Sequence, residues 1–71
     1  MDMRKLVGRN LKRIREKRGL TQEALAAKSG FSQQYLSGLE QGVRNPTVVT
    51  LHELAQALDT KPIELIRPPR K

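Results

Sequence analysis

Residues Thr21 to Gln41 read TQEALAAKSGFSQQYLSGLEQ, and the fold turns on how this stretch divides. Thr21 is a good helix N-cap, and Glu23 places a negative charge at the positive end of the helix that follows. Leu25 and Ala26 supply that helix with an apolar side, and Lys28 falls in its last turn. Gly30 comes four residues after Ala26, where a residue of positive φ turns the chain sharply. Phe31 sits just before Ser32, a second N-cap, and is placed to pack over the junction. From Ser32 to Gln41 the apolar residues Tyr35, Leu36 and Leu39 fall on one side. The other side carries Gln33, Gln34, Ser37, Gly38 and Gln41, which is polar, uncharged and rich in groups that both donate and accept hydrogen bonds. The stretch is predicted to be two short helices joined by a tight turn. The outer face of the second is too polar for a core and too poor in charge for an ordinary solvated surface.

Upstream, Met3 to Arg18 carries Val7, Leu11 and Ile14 at i, i+4, i+7, with Lys5, Arg9, Lys12, Arg13 and Lys17 on the remaining surface. This predicts an amphipathic helix with a basic exterior, stopped by Gly19 in a left-handed cap, with Leu20 folding back onto it. Downstream, Gly42 ends the second helix of the pair, and Val43 to Pro46 form a loop containing Arg44 and Asn45. Thr47 restarts a helix with Leu51, Leu54, Ala55 and Leu58 at helical spacing. Asp59 stands where a glycine would end it more comfortably. Pro62 suits the first turn of a short last helix reaching Ile66. The prolines in Arg67-Pro68-Pro69-Arg70-Lys71 prevent its continuation. The expected architecture is all-α: one five-helix domain over residues 1–66, no sheet, and a basic, proline-containing, mobile tail over residues 67–71.

Composition narrows the functions. The 71-residue chain has no cysteine and one histidine, His52, so a thiolate metal site is excluded and no metal or other cofactor is expected. Scattered carboxylates offer no nucleophile–base pair, which argues against an enzyme. Apolar runs are far shorter than the roughly 20 residues of a membrane helix, and no signal-peptide core follows Met1-Asp2-Met3-Arg4, so a cytoplasmic protein is expected. Net charge is +7, unevenly placed: residues 1–18 hold eight Lys or Arg against Asp2 and Glu16, a balance of +6, and residues 19–71 hold six against five. Such a footprint suits phosphate backbones, although by itself it equally describes a solvated face or a surface for acidic lipids. A membrane-surface role lacks the Trp/Phe/Leu-rich apolar face it requires.

With these residues in place the chain resembles the Cro/phage-repressor class of helix-turn-helix regulators, also called the XRE class, and the short controllers of restriction-modification genes. The resemblance covers roughly Leu6 to Ile66. It is carried by Leu20-Thr21-Gln22-Glu23, Leu25-Ala26, Gly30, Leu36, Leu39-Glu40-Gln41-Gly42, Pro46 and the Leu51/Leu54/Ala55/Leu58 helix. It implies a DNA-binding regulator, expected to be a repressor acting as a homodimer on an inverted repeat, with the helix over residues 32–41 in the major groove of double-stranded DNA. An antitoxin or protein-interaction module on the same fold is the alternative.

The resemblance also distributes roles. Gln33 and Gln34 fall at base-reading positions, and a Gln amide can pair with adenine N6 and N7, each such contact giving about 1–3 kcal/mol of discrimination. Tyr35 and Ser37 are further base-reading candidates, with core-edge packing and solvent exposure as their respective alternatives. Gln22, Gln41, Arg44 and Asn45 fall at phosphate contacts. Arg9 and Arg13 join them, unless they only solubilise the first helix. Arg15 and Glu40 match a structural ion pair. Ile63, Leu65 and Ile66 match a dimer interface, unless they seal the monomer. Gly38 replaces a longer polar residue, which leaves room on the outer face. No Lys or Arg lies on the recognition helix, so the common arginine fork for guanine is missing there, and A/T-containing half-sites are expected.

Overall fold

The computed structural model describes residues 2–69, so Arg70 and Lys71 of the expected tail lie outside the described residues. It contains α1 (Met3–Lys17), α2 (Gln22–Ser29), α3 (Gln33–Glu40), α4 (Val48–Ala57) and α5 (Pro62–Ile66), with no strand among the described residues. The all-α, five-helix expectation therefore holds. Each boundary has a local cause. Thr21, Ser32 and Thr47 accept from the backbone N–H three residues on, all at 3.0 Å, and start α2, α3 and α4. Asp2 caps α1 by accepting from the N–H of Arg4, two residues on, at 3.0 Å. Pro62 opens α5, where its missing N–H costs nothing.

The turn between α2 and α3 depends on Gly30, whose φ is +83°. A Cβ there would meet nothing within 4 Å, so the requirement is one of backbone conformation and not of space. Asp59, at the end of α4, is left-handed as expected, with φ +55°. Its carbonyl accepts from the Arg18 guanidinium at 2.8 Å, a contact that ties the α4–α5 turn to the end of α1.

α1 packs against α3 on one side and α5 on another, while α2 packs on α3 and α4, and α4 on α5. Leu11, Leu25, Leu36, Leu39, Leu54, Leu58 and Leu65 fill the centre. Leu20, Ala26, Phe31, Tyr35 and Leu51 close its edges. The apolar side of α1 is broader than the Val7/Leu11/Ile14 seam, because Leu6, Gly8, Asn10 and Arg15 are buried as well.

These last three make the structure specific. An ideal Cβ on Gly8 would overlap the carbonyl oxygen of Leu39 and lie 2.7 Å from that of Glu40, so α1 and α3 touch backbone to backbone. Asn10 reaches the other way, its amide donating to the carbonyls of Leu65 (3.0 Å) and Arg67 (2.9 Å) and so satisfying the end of α5. Arg15 donates from Nε to Glu40 Oε2 at 2.6 Å, from Nη2 to Glu40 Oε1 at 3.1 Å, and from Nη1 to the Leu20 carbonyl at 2.7 Å. The side chains of the pair are only 10% and 5% exposed. Hydrogen bonding to Glu40 raises the Arg15 pKa above its ordinary value against the opposing effect of burial, so the guanidinium keeps its charge.

Two stability outcomes follow. Gly8→Ala gains up to about 1 kcal/mol of helix propensity. It meets backbone carbonyls that cannot rotate aside, at an overpacking cost of roughly 1–3 kcal/mol. A net loss in the urea-unfolding free energy is expected, and an unchanged or raised midpoint would show that the two helices can separate freely. Glu40→Ala leaves Arg15 nearly buried without its partner, for which about 3–5 kcal/mol is expected rather than the ~0–1 kcal/mol of an exposed pair. Thermal unfolding of the variant at neutral pH measures the difference.

Candidate nucleic-acid interface

The inner side of α3 is held by Leu36, Leu39 and Glu40, so its outer side faces solvent. Gln33 and Gln34 are exposed at its first turn, next to the Ser32 cap. They line a shallow open groove together with Gln22, Ser32 and Ser37. The helix-turn-helix thus brings the start of α2 against the start of α3, with amide side chains on both walls. Neither glutamine of α3 has a side-chain hydrogen bond among the described residues, which leaves both amides free to pair.

Other expected site residues stand differently. Gln22 does not point wholly outward: its Nε2 donates to Glu40 Oε1 at 3.0 Å, so one amide hydrogen orients the buried carboxylate and only the second remains for a phosphate. Tyr35 follows its core-edge alternative. Its ring packs against Phe31 with centroids 5.3 Å apart and planes tilted by 45°. Its hydroxyl lies 3.4 Å from Thr50 Oγ1, a long contact, so the base-reading role expected of it is not supported by its pose. Ser37 is half-buried and accepts from Gln41 Nε2 at 3.1 Å, which folds Gln41 back along the helix. Arg44 is exposed, with its guanidinium carbon 5.7 Å from the Tyr35 ring centroid. Asn45 is exposed beside the start of α1, near Met3, Arg4 and Pro46.

The basic residues of α1 are divided between faces. Arg9 is exposed with no hydrogen bond or ion pair among the described residues. Arg13 lies on the α5 side, with Nη2 3.4 Å from Asn10 Oδ1, and lines a groove with Lys17, Glu64 and Arg67. No residue of α2 or α3 lines that groove, so the structure does not bring Arg13 to the reading surface as expected. The expected dimer residues also separate. Leu65 is fully buried in the monomer core and unavailable to a partner, because α5 is too short to bury more than one of its three apolar residues under α1 and α4. Ile63 and Ile66 remain 52% and 39% exposed.

Sequence reasoning missed Gly8, Asn10 and Thr50. Asn10 carried a usable signal: it lies in the row Leu6, Asn10, Ile14 at i, i+4, i+8, a polar residue inside an apolar stripe. Gly8 and Thr50 carried none, since their duties depend on Leu39 and Tyr35 on another helix. Among the described residues no group of three His, Cys, Asp or Glu could hold a metal ion, and no helix is long and apolar enough to cross a membrane.

Comparison with known proteins agrees with this geometry. Residues 11–65 match the HTH_3 helix-turn-helix family model. An uncharacterised HTH-type transcriptional regulator, y4dJ of Sinorhizobium fredii, is 66% identical over 68 residues, covering 96% of this chain and 88% of that protein. Among solved structures, the restriction-modification controller protein C.AhdI from Aeromonas hydrophila superposes with a TM-score of 0.84 at 42% identity, covering 87% of this chain and 94% of that one. The hypothetical transcription factor NHTF from Neisseria superposes with a TM-score of 0.91 at 29% identity, covering 96% and 78%. With the matched region spanning all but the first turns of α1 and the last residue of α5, the chain belongs to the HTH_3 helix-turn-helix family, that of XRE-type DNA-binding transcriptional regulators.

Proposed function

We propose that the protein is a sequence-specific repressor that binds an inverted-repeat operator as a homodimer, one α3 entering the major groove at each half-site. The observation that carries this reading is the pair of free amides, Gln33 and Gln34, at the exposed N-terminal turn of a helix whose opposite side is locked into the core. A helix presented in this way fits the major groove, and a Gln amide matches the donor and acceptor of adenine. Affinity comes from the surroundings: the first turn of α2, Gln41, Asn45 and Arg9 meet phosphates, and the net charge of +7 releases counterions. A bound dimer covers its operator and occludes it from other proteins, which is how it represses.

Dimerisation supports the same reading. One α3 spans only eight residues and reads a few base pairs. The Cα framework measures 30 × 21 × 19 Å, a size compatible with two copies side by side on half-sites one DNA turn, ~34 Å, apart. Ile63 and Ile66, three residues apart on α5, give the exposed apolar pair such a contact needs, and Met3 lies in the same groove as Ile66.

Selection of bound sequences from random duplex DNA tests the function. An inverted repeat with A·T pairs facing Gln33 and Gln34 is expected, and no enrichment over non-specific binding would defeat the proposal. In the same assay Gln33→Ala should relax preference at one position of each half-site, by about 1–3 kcal/mol. Sedimentation equilibrium of an Ile63→Asp/Ile66→Asp double variant should show a shift to monomer with the helical circular dichroism retained. An unchanged association constant would place the interface elsewhere.

A further inference from the structure

The loop residue Arg44 lies across α3 instead of extending away from it. A Cβ on Gly38 would stand 2.7 Å from Arg44 Cγ and 3.4 Å from Nε, so the arginine stem occupies the space a side chain at position 38 would take. From there the guanidinium runs to the face of Tyr35, 5.7 Å from the ring centroid. Gly38 follows Tyr35 by three residues and Gln34 by four, so all three share one strip of the helix. Running from Gly38 to Tyr35 carries the guanidinium back towards the N-terminal turn of α3, which is the end that bears Gln33 and Gln34. Tyr35 is fixed in turn by Phe31 on its ring, with its hydroxyl near Thr50.

Arg44 forms no hydrogen bond or ion pair with another side chain among the described residues. A guanidinium held over an aromatic face by cation–π attraction spends none of its N–H donors on that contact, so they stay free to pair. Its fork of donors, on the same strip of α3 as Gln34, matches the two acceptors O6 and N7 of guanine, for which α3 itself has no arginine or lysine.

We infer that Arg44 is a specificity-determining residue that reads a guanine in each half-site, held over Tyr35 through the space left by Gly38. The inference rests on the docking of α3 proposed above. It changes the expectation that Arg44 contributes only a phosphate contact, and adds a G·C pair to an otherwise A/T-directed site. Gly38 acts here as a positioning residue, since any side chain there displaces the arginine stem.

The test is sequence selection from random duplex DNA with the full chain, its Arg44→Ala variant and its Gly38→Leu variant, followed by affinity measurements across salt concentrations. The parent protein should prefer one G·C pair per half-site by roughly 5- to 150-fold. Arg44→Ala should lose that preference while keeping the positions facing Gln33 and Gln34. Gly38→Leu, checked for a cooperative melt, should lose the same preference although its charge and salt dependence are unchanged. Arg44→Ala weakening every sequence by one factor, with the selected motif intact and the salt slope reduced by about one, would overturn the inference and return Arg44 to the phosphates. Retention of the guanine preference in Gly38→Leu would overturn the positioning by Gly38. If the parent protein selects no motif at all, the docking of α3 fails first, and that result is distinct from a motif lacking only its guanine.

Discussion

The close crossing of α1 over α3 is the constraint on which the remaining structure depends. At Gly8 the two backbones meet with no side chain between them, and about two turns further along α1 Arg15 grips the Glu40 carboxylate with two hydrogen bonds. Arg15 also binds the Leu20 carbonyl in the link to α2, and Glu40 receives the Gln22 amide from the first turn of α2. One buried carboxylate therefore joins α1, α2 and α3. A buried ion pair of this kind adds little net stability over an apolar replacement but is expensive to break, so its consequence lies in fixing relative positions. That orientation decides whether the start of α2 and the start of α3 form one surface.

Fixing α3 by its inner side releases its outer side from structural duty. The contrast within ten residues is clear: Leu36 and Leu39 are almost completely buried, Glu40 is paired, and Gln33 and Gln34 are exposed with no side-chain bond among the described residues. A domain of this size has a small core, and a second anchored element on the opposite flank is needed to close it. Asn10 supplies that anchor. Its amide holds the last turn of α5, so Leu65 covers the core while Ile63 and Ile66 stay outside. The contacts that Arg15 and Asn10 make from α1 thus serve different ends of the molecule, one at the α2–α3 junction and one beside the exposed apolar residues of α5.

The basic charge is distributed on similar lines. The excess concentrated in residues 1–18 is not one continuous surface once the chain folds. Arg15 is buried in the ion pair, Arg18 holds the Asp59 carbonyl, and Arg13 and Lys17 flank α5. The guanidinium laid across α3 comes instead from Arg44 in the loop that follows it, because Gly38 leaves its stem a path over the helix.

The sequence by itself determined the elements and their order. Caps at Thr21, Ser32 and Thr47, the left-handed Gly30 and Asp59, and the opening Pro62 act on neighbours within a few residues, so their effects can be read without the fold. Helical periodicity likewise separated Leu36 and Leu39 from Gln33 and Gln34. The tertiary structure alone decided what depends on residues distant in the chain. It showed that Gly8 is a contact surface, that Asn10 caps a helix 55 residues away, that Leu65 and not Ile63 closes the core, and that Gln22 and Tyr35 turn inward. It also showed that the vacancy at Gly38 is filled by an arginine from the following loop. Spacing along a helix says which residues share a face, but which neighbour that face meets, and whether a polar side chain there finds a partner, is set only when the helices pack.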